Sequence, residues 1–212
     1  MLNTDEEIRK VWGSHIPLTS AVLEVLKPES AVECGCGNYS TPLLSEACNV
    51  TSIEHDCEWG KRISEQFPEV KFIIDSIPLV ERRYLKKGEL EIIESLYSSY
   101  ASELKPFDLL FVDSVACARV VSFNALRNLS QWIIVHDTDI DSCEHYNYDL
   151  LNLEGLFHYR LMPEGNVNGH KIEWTSFFSH TPISVELMEK TINKYSMELW
   201  GFTAIFKEIK ND

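Results

Sequence analysis

The 212-residue sequence predicts an open, doubly wound α/β sheet, mostly parallel, with a C-terminal antiparallel strand pair. Three observations carry this expectation. Short apolar runs alternate with segments of helical periodicity through the first two thirds of the chain. Two of those runs, Leu109-Leu110-Phe111-Val112 and Ile133-Ile134-Val135, are continuously apolar, as parallel strands covered on both faces are. Charged or otherwise polar residues close most of the runs, and ligands bind outside the carboxyl ends of the strands in such a sheet.

The elements follow in order. Residues 1–28 read as a helical lid segment: after the loop Trp12-Gly13-Ser14-His15, Pro17, Leu18, Ala21, Val22, Val25 and Leu26 have helical spacing. Strands are expected at Ala31–Cys34, Val50–Ile53, Val70–Ile74, Phe107–Val112 and Trp132–Val135. Helices are expected between them at Pro42–Ala47, Glu58–Phe67, 89–104 and 116–129; in the third, Leu90, Ile93, Tyr97, Tyr100 and Leu104 step by three and four. Beyond Ser142 the alternation weakens. Phe157–Met162, Lys171–Phe178 and Phe202–Ile209 read as strands, with a helix at Val185–Tyr195. No repeat, low-complexity tract or linker interrupts the pattern, so the chain is expected to form one domain.

Composition narrows the function. With 19 basic and 33 acidic residues the net charge is −14, which repels phosphate backbones and argues against a nucleic-acid partner. No stretch approaches the roughly 18 apolar residues of a membrane span, and Met1–Lys10 lacks the apolar core of a signal peptide. Six cysteines without a Cys-x-x-Cys pair suit reduced thiols and a cytoplasmic location. The three N-glycosylation tripeptides, starting at Asn38, Asn49 and Asn128, are then chance matches. A small-molecule ligand fits this balance; oligomeric state stays open, a homodimer included.

The first run ends in Glu33-Cys34-Gly35-Cys36-Gly37-Asn38-Tyr39-Ser40-Thr41. Alternate glycines permit a tight turn and close backbone approach to a ligand, with Thr41 as N-cap and Pro42 at the first helical position. The second run ends in Glu54, placed to take both hydroxyls of a ribose. A dinucleotide fingerprint needs glycine at position 40, where Ser40 stands, and no Gly-Lys-Ser/Thr phosphate loop is present.

This set, Glu33/Gly35/Gly37, Glu54, Asp75, Asp113 and His136-Asp137, each after a successive strand, resembles the S-adenosylmethionine site of Rossmann-like class I methyltransferases. Trp12-Gly13-Ser14-His15, Tyr39-Ser40-Thr41-Pro42-Leu43-Leu44, Phe111-Val112-Asp113-Ser114 and Val135-His136-Asp137-Thr138-Asp139 are similar to strings in bacterial proteins of that fold. The resemblance implies S-adenosylmethionine as cofactor and transfer to an oxygen or nitrogen of a small molecule. It implies that Glu33 meets the methionine amino group and that Gly35, Cys36 and Gly37 pack along methionine and ribose. Glu54, with His55 beside it, would hold the ribose, and Asp75 with Ser76 would flank adenine. Tyr39 stands where many members have a third glycine, and beside Ser40 it either closes over the cofactor or obstructs it. A side chain at Gly35 is expected to block the cofactor and leave the fold intact.

His136 and Asp113 are the candidate proton acceptors for the methyl acceptor. Asp113 and Asp137, on neighbouring strand ends, also offer a carboxylate pair to a hard cation. Thr138 replaces the Asn that follows the acidic pair in catechol-type enzymes, so no metal is expected. Asp137 otherwise reads as a helix N-cap or a brace for Thr138, and Arg119 as an ion-pair partner of Asp113 or of a substrate carboxylate. His15 reads as a surface residue or part of the lid. His145, Tyr146 and Tyr148 read as acceptor-pocket or surface residues, and Glu81-Arg82-Arg83 with Lys86-Lys87 as a solvated face. Cys34, Cys36, Cys48, His55 and Cys57 lack the paired spacing that zinc prefers. Two other readings remain: a non-catalytic nucleoside-binding module of the same fold, and an NAD-dependent oxidoreductase, which Ser40 disfavours.

Overall fold

A computed structural model describes residues 5–77, 86–139 and 145–210. Two helices come first, α1 (Asp5–Trp12) and α2 (Ile16–Leu26). Then β1 (Ser30–Cys34), α3 (Ser40–Ser45), β2 (Asn49–Glu54), α4 (Cys57–Gln66) and β3 (Lys71–Ile74) lead to α5 (Lys87–Glu103). After them come β4 (Phe107–Val112), α6 (Ala116–Leu126), β5 (Ser130–Val135), β6 (Phe157–Pro163), β7 (Asn166–Val167), β8 (His170–Lys171) and β9 (Thr175–Ser179). The chain closes with α7 (Val185–Trp200) and β10 (Ala204–Ile209).

Eight strands make one sheet in the order β10-β6-β9-β5-β4-β1-β2-β3. The five strands from β3 to β5 are parallel, so the order reverses between β1 and β4 and leaves a crevice at their carboxyl ends. The expected antiparallel pair is present as β6 with β10, and β9 lies between β6 and β5, antiparallel to both. The expected strand at Lys171–Phe178 divides: β8 pairs with β7 across Asn168-Gly169, and β9 joins the main sheet. Both turn residues have positive φ, 53° and 82°, as a two-residue hairpin needs.

Helices cover both faces. On one, Leu18, Ala21 and Val22 of α2 and Met188 and Ile192 of α7 pack on Leu109, Phe111 and Ile134. On the other, Ile93 and Tyr97 of α5 and Val120 and Phe123 of α6 pack on Leu110, Val112 and Ile133. Burial on both faces is why β4 and β5 carry no polar alternation in their apolar stretches. Local signals set several helix ends. Asp56 accepts from the amides of Glu58 and Trp59 at the start of α4, Ser184 caps α7, and α7 stops at Gly201 with φ 79°. Among the described residues no helix is long and apolar enough to cross a membrane.

Two sequence expectations need correcting here. The N-cap of α3 is Tyr39, without a side-chain cap; Thr41 lies inside the helix and points its hydroxyl down to Glu33. Gly35 is required by the fold rather than by a ligand. Its φ is +93°, and a Cβ there would lie 2.4 Å from the Asp113 carbonyl oxygen and 2.7 Å from Ser114 Cα. We therefore expect Gly35→Ala to destabilise by on the order of 3 kcal/mol, a fall in Tm of roughly 6–12 °C for a chain of this size. Gly37→Ala, whose Cβ would meet only Ser40 Oγ at 3.3 Å, is expected to change Tm by less than about 2 °C. Thermal denaturation of both variants checks this, and equal shifts would refute the distinction.

Candidate active site

The carboxyl end of β1 turns through Gly35 into a loop that runs to α3. Beneath it lies Glu33, fully buried. Its Oε2 accepts from Thr41 Oγ1 and Ser52 Oγ, each at 2.8 Å, and Thr41 in turn accepts from the Gly37 amide at 3.0 Å. The other oxygen, Oε1, is buried with no hydrogen-bond partner. Burial pushes the carboxyl up to about 7, against the pull of the Ser40, Ser52 and Thr41 hydroxyls. A buried acceptor left open is costly and asks for a donor.

Glu54, at the end of β2, is differently provided for. Its Oε2 accepts from the Cys36 amide (3.0 Å) and thiol (3.3 Å), and its Oε1 from the amides of His55 (2.7 Å) and Asp56 (2.8 Å). Four donors fill the roughly four acceptor positions of a carboxylate. Glu54 thus locks the glycine loop to the start of α4, and Trp59 Nε1 reinforces this by donating to the Cys36 carbonyl at 2.6 Å.

His55 points into the protein. Its Nδ1 lies 2.7 Å from the Asp75 carbonyl, which only accepts, so Nδ1 carries the proton and Nε2 accepts from Tyr97 Oη at 2.9 Å. With both ring nitrogens committed, the expected contact of His55 with a ribose is replaced by a brace between β3 and α5. Asp75 accepts from Tyr100 Oη at 2.5 Å, and Ser76 is exposed beside it.

Past β4 and β5, Arg119 of α6 gathers the remaining polar residues. Its Nη2 donates to Asp113 Oδ1 at 2.6 Å, and its Nη1 lies 3.2 Å from Asp137 Oδ2. It also donates to the carbonyls of Ser114 (2.7 Å) and His136 (3.1 Å), and Tyr146 stacks on it 4.0 Å from the ring centroid. The guanidinium therefore occupies the bridging position between Asp113 and Asp137 that the pair could otherwise have offered to a hard cation. Thr138 is spent on Ser176, whose hydroxyl lies 2.9 Å away. Asp137 holds a left-handed φ of 54° and engages Arg119, His136 and Tyr146.

His136 is buried, with Nδ1 3.1 Å from Asp113 Oδ2 and Nε2 2.5 Å from Ser14 Oγ. Burial disfavours its charged form, but the Asp137 and Asp113 carboxylates outweigh burial and raise its pKa. Burial likewise works to raise Asp113, and the charges of His136 and Arg119 overcome it and hold the carboxyl well below the usual range. His15 is not the surface residue expected. It is 2% exposed, its ring 4.9 Å from that of His136 and 5.0 Å from Phe111, and neither nitrogen has a partner. Burial, with His136 nearby, lowers its pKa to about 3.

Two clefts open over these residues. One, about 280 Å³, is lined by Ile8, Trp12, His15, residues 37–40, Trp59 and Asp113. The other, about 410 Å³, is lined by Val11, Trp12, Asp113, Arg119, His136, Asp137 and Glu173. Trp12 and Asp113 belong to both, so the clefts share a wall. Tyr39 is half-buried in the rim of the first and does not fill it. A larger hollow, about 490 Å³, lies by Ser30, Asn49 and Phe107 at the amino ends of the strands, away from the glycine loop, Asp113 and His136.

The structure thus brings Gly37, Tyr39, Ser40 and Asp113 to one cleft and Asp113 with His136 to its neighbour. Glu33, Gly35 and Cys36 lie beneath, while Glu54 and His55 are internally committed. Sequence reasoning missed Trp59, Ser14 and Glu173; the Trp59 position, three residues beyond Asp56, was legible only as a helix start. The cysteines show no metal grouping among the described residues: Cys36 bonds Glu54 and Cys48 bonds the Leu44 carbonyl. Cys143 and Glu81-Arg82-Arg83 lie outside the described residues.

No protein-family model and no curated protein matches the chain. Solved structures do. A probable spermidine synthase from Corynebacterium glutamicum aligns over 95% of this chain and 74% of that one, at TM-score 0.58 and 12% identity. The N-methyltransferase NodS from Bradyrhizobium japonicum aligns over 81% and 96%, at TM-score 0.54 and 11% identity. NodS has also been solved with S-adenosyl-L-homocysteine. The chain has the class I methyltransferase fold. It spans only 40% of the bifunctional kinase-methyltransferase WbdD, at TM-score 0.49, 13% identity and 82% of this chain.

Glu33 predicts a pH signature. Its carboxyl titrates near 4.5 when unfolded and near 7 when folded, so its contribution to stability is complete below about 4.5 and is lost as pH rises through about 7. Glu33→Gln removes that loss. Its Tm should match the wild type near pH 4.5 and exceed it by several degrees near pH 8. A pH-independent difference in melting curves would refute the assignment.

Proposed function

We propose that the protein is an S-adenosylmethionine-dependent methyltransferase acting on an oxygen or nitrogen of a small molecule. The observation that carries this is the pair of clefts sharing Asp113 and Trp12 at the reversal point of the sheet. One cleft, beside the glycine loop, suits the cofactor; the adjoining one suits the acceptor. That second cleft favours an enzyme over a binding module, which needs only one. NodS and its S-adenosyl-L-homocysteine complex point the same way.

The unpartnered Glu33 Oε1 would receive the methionine ammonium, and the loop at Gly37 would lie along the cofactor. Trp59 and Tyr39 would flank it, with Asp75 and Ser76 toward the adenine. Ribose hydroxyls would reach Glu54 only after displacing the Cys36 thiol, the weakest of its four donors. In the reaction the acceptor's lone pair attacks the methyl carbon, the carbon–sulfur bond breaks, and its electrons stay on sulfur as S-adenosylhomocysteine. The protein's part is mainly to align these atoms. Asp113, at the shared wall, and His136, in the second cleft, would hold the acceptor and receive the proton it gives up.

Calorimetric titration with S-adenosylhomocysteine, with NAD as control, tests this. Binding should be saturable near pH 7, and its heat should vary with the buffer's ionisation enthalpy, because an arriving ammonium displaces the proton from Glu33. Glu33→Gln should remove that buffer dependence and weaken binding about 10-fold or more, the loss of one charge-assisted hydrogen bond. Stabilisation by NAD alone would overturn the proposal.

A further inference from the structure

The cluster His15, Asp113 and His136 contains more than the proton chemistry assigned above. Each offers a ligand atom, and the three atoms lie within 4.8 Å of one another. The buried His136 Nδ1 and Asp113 Oδ2 lie 3.1 Å apart, paired by charge rather than by a well-aligned hydrogen bond. Two atoms each 2.0–2.1 Å from one ion would be separated by about this distance. His15 adds two buried ring nitrogens with no partner. Orphaned groups of this kind ask for an absent ion or water, and a cation takes one lone pair from each residue at once.

The surroundings fit. Metal-binding imidazoles and carboxylates are held by outer hydrogen bonds. Here Ser14 Oγ and Asp137 Oδ1 hold His136 Nε2, at 2.5 Å and 3.3 Å, and Arg119 holds Asp113 Oδ1 at 2.6 Å. Asp113, Asp137 and Glu173 bring three carboxyl groups to the second cleft against the one guanidinium of Arg119, a lining that favours a cation. No hydrogen bond ties the His15 ring in place, so none has to break when it turns toward a shared ion. Two imidazoles with one carboxylate favour zinc, iron, cobalt or nickel over magnesium.

We propose that His15, Asp113 and His136 bind one divalent first-row transition-metal ion, with an open coordination position facing the second cleft. Its catalytic use rests on the methyl-transfer reading and narrows the acceptor to an oxygen ligand, such as a hydroxyl. An ion held there would act as a Lewis acid, easing loss of the acceptor hydroxyl's proton to cleft water before the oxygen attacks the methyl group. His136 then serves as a ligand instead of a base.

The test is titration of chelator-treated protein with Co²⁺, read by visible d–d absorption, and with Zn²⁺, read by calorimetry. One equivalent should bind. His15→Ala and His136→Ala should each weaken binding on the order of 100-fold or more, while His180→Ala, beyond the opposite end of β9, should not. Circular dichroism establishes that each variant is folded, and His15→Asn or His136→Asn replaces the corresponding variant that is not. No saturable binding by the wild type, or unchanged binding by folded His15 and His136 variants, overturns the site. S-adenosylhomocysteine is titrated in parallel: metal binding without it refutes methyl transfer and leaves the metal site standing, and the reverse refutes only the metal site.

Discussion

Two strand ends, β1 and β4, come so close that no side chain fits between them. The Gly35 position allows the backbone to turn at φ +93° against the Asp113 carbonyl, and the amides of Gly35 and Asp113 continue the ladder to Ile53 and Cys34, each at 2.9 Å. This contact sets the floor on which both clefts stand. It places Asp113 at their common wall and Glu33 beneath the loop. Without it the crevice between β1 and β4 would open, and the carboxylates would lose their fixed spacing.

The polar residues above that floor divide between two kinds of work. Glu54, His55, Tyr97 and Tyr100 spend their hydrogen bonds on backbone, on one another and on Cys36 and Asp75, so they fix loop and strand ends in place. Arg119 does the same on the far side, joining β4, α6 and the turn after β5 through five polar contacts. Glu33 and His15 instead retain buried side-chain atoms without a hydrogen-bond partner. A buried polar atom without a partner is costly in a low-dielectric interior, and the ligands proposed above would supply partners for these.

The architecture was legible because its signals are local and periodic. Continuous apolar runs gave β4 and β5, and i, i+3, i+4 spacing gave α5. Polar residues closing the runs placed Glu33, Glu54, Asp113 and His136 at the strand ends. What stayed hidden depends on direction and partnership. Nothing in the sequence says that His55 turns inward to Tyr97, or that Glu54 is saturated by amides from its own and the neighbouring loop. His15 follows a glycine and a serine in what reads as an exposed turn; only the packing of α2 on β4 buries it against Phe111. The bridging of Asp113 and Asp137 by Arg119 likewise required three elements to meet.

Helix α1 roofs both clefts through Ile8, Val11 and Trp12, yet none of its residues is buried and Trp12 is 68% exposed. Its polar attachments include Trp200 Nε1 to the Lys10 carbonyl at 2.8 Å, and Asn168 to Glu7. A segment so thinly anchored opens at far less cost than the sheet below it. If ligands enter the proposed site beneath α1, the cost is local: this exposed helix would move while the buried strand ends of the sheet stay as they are.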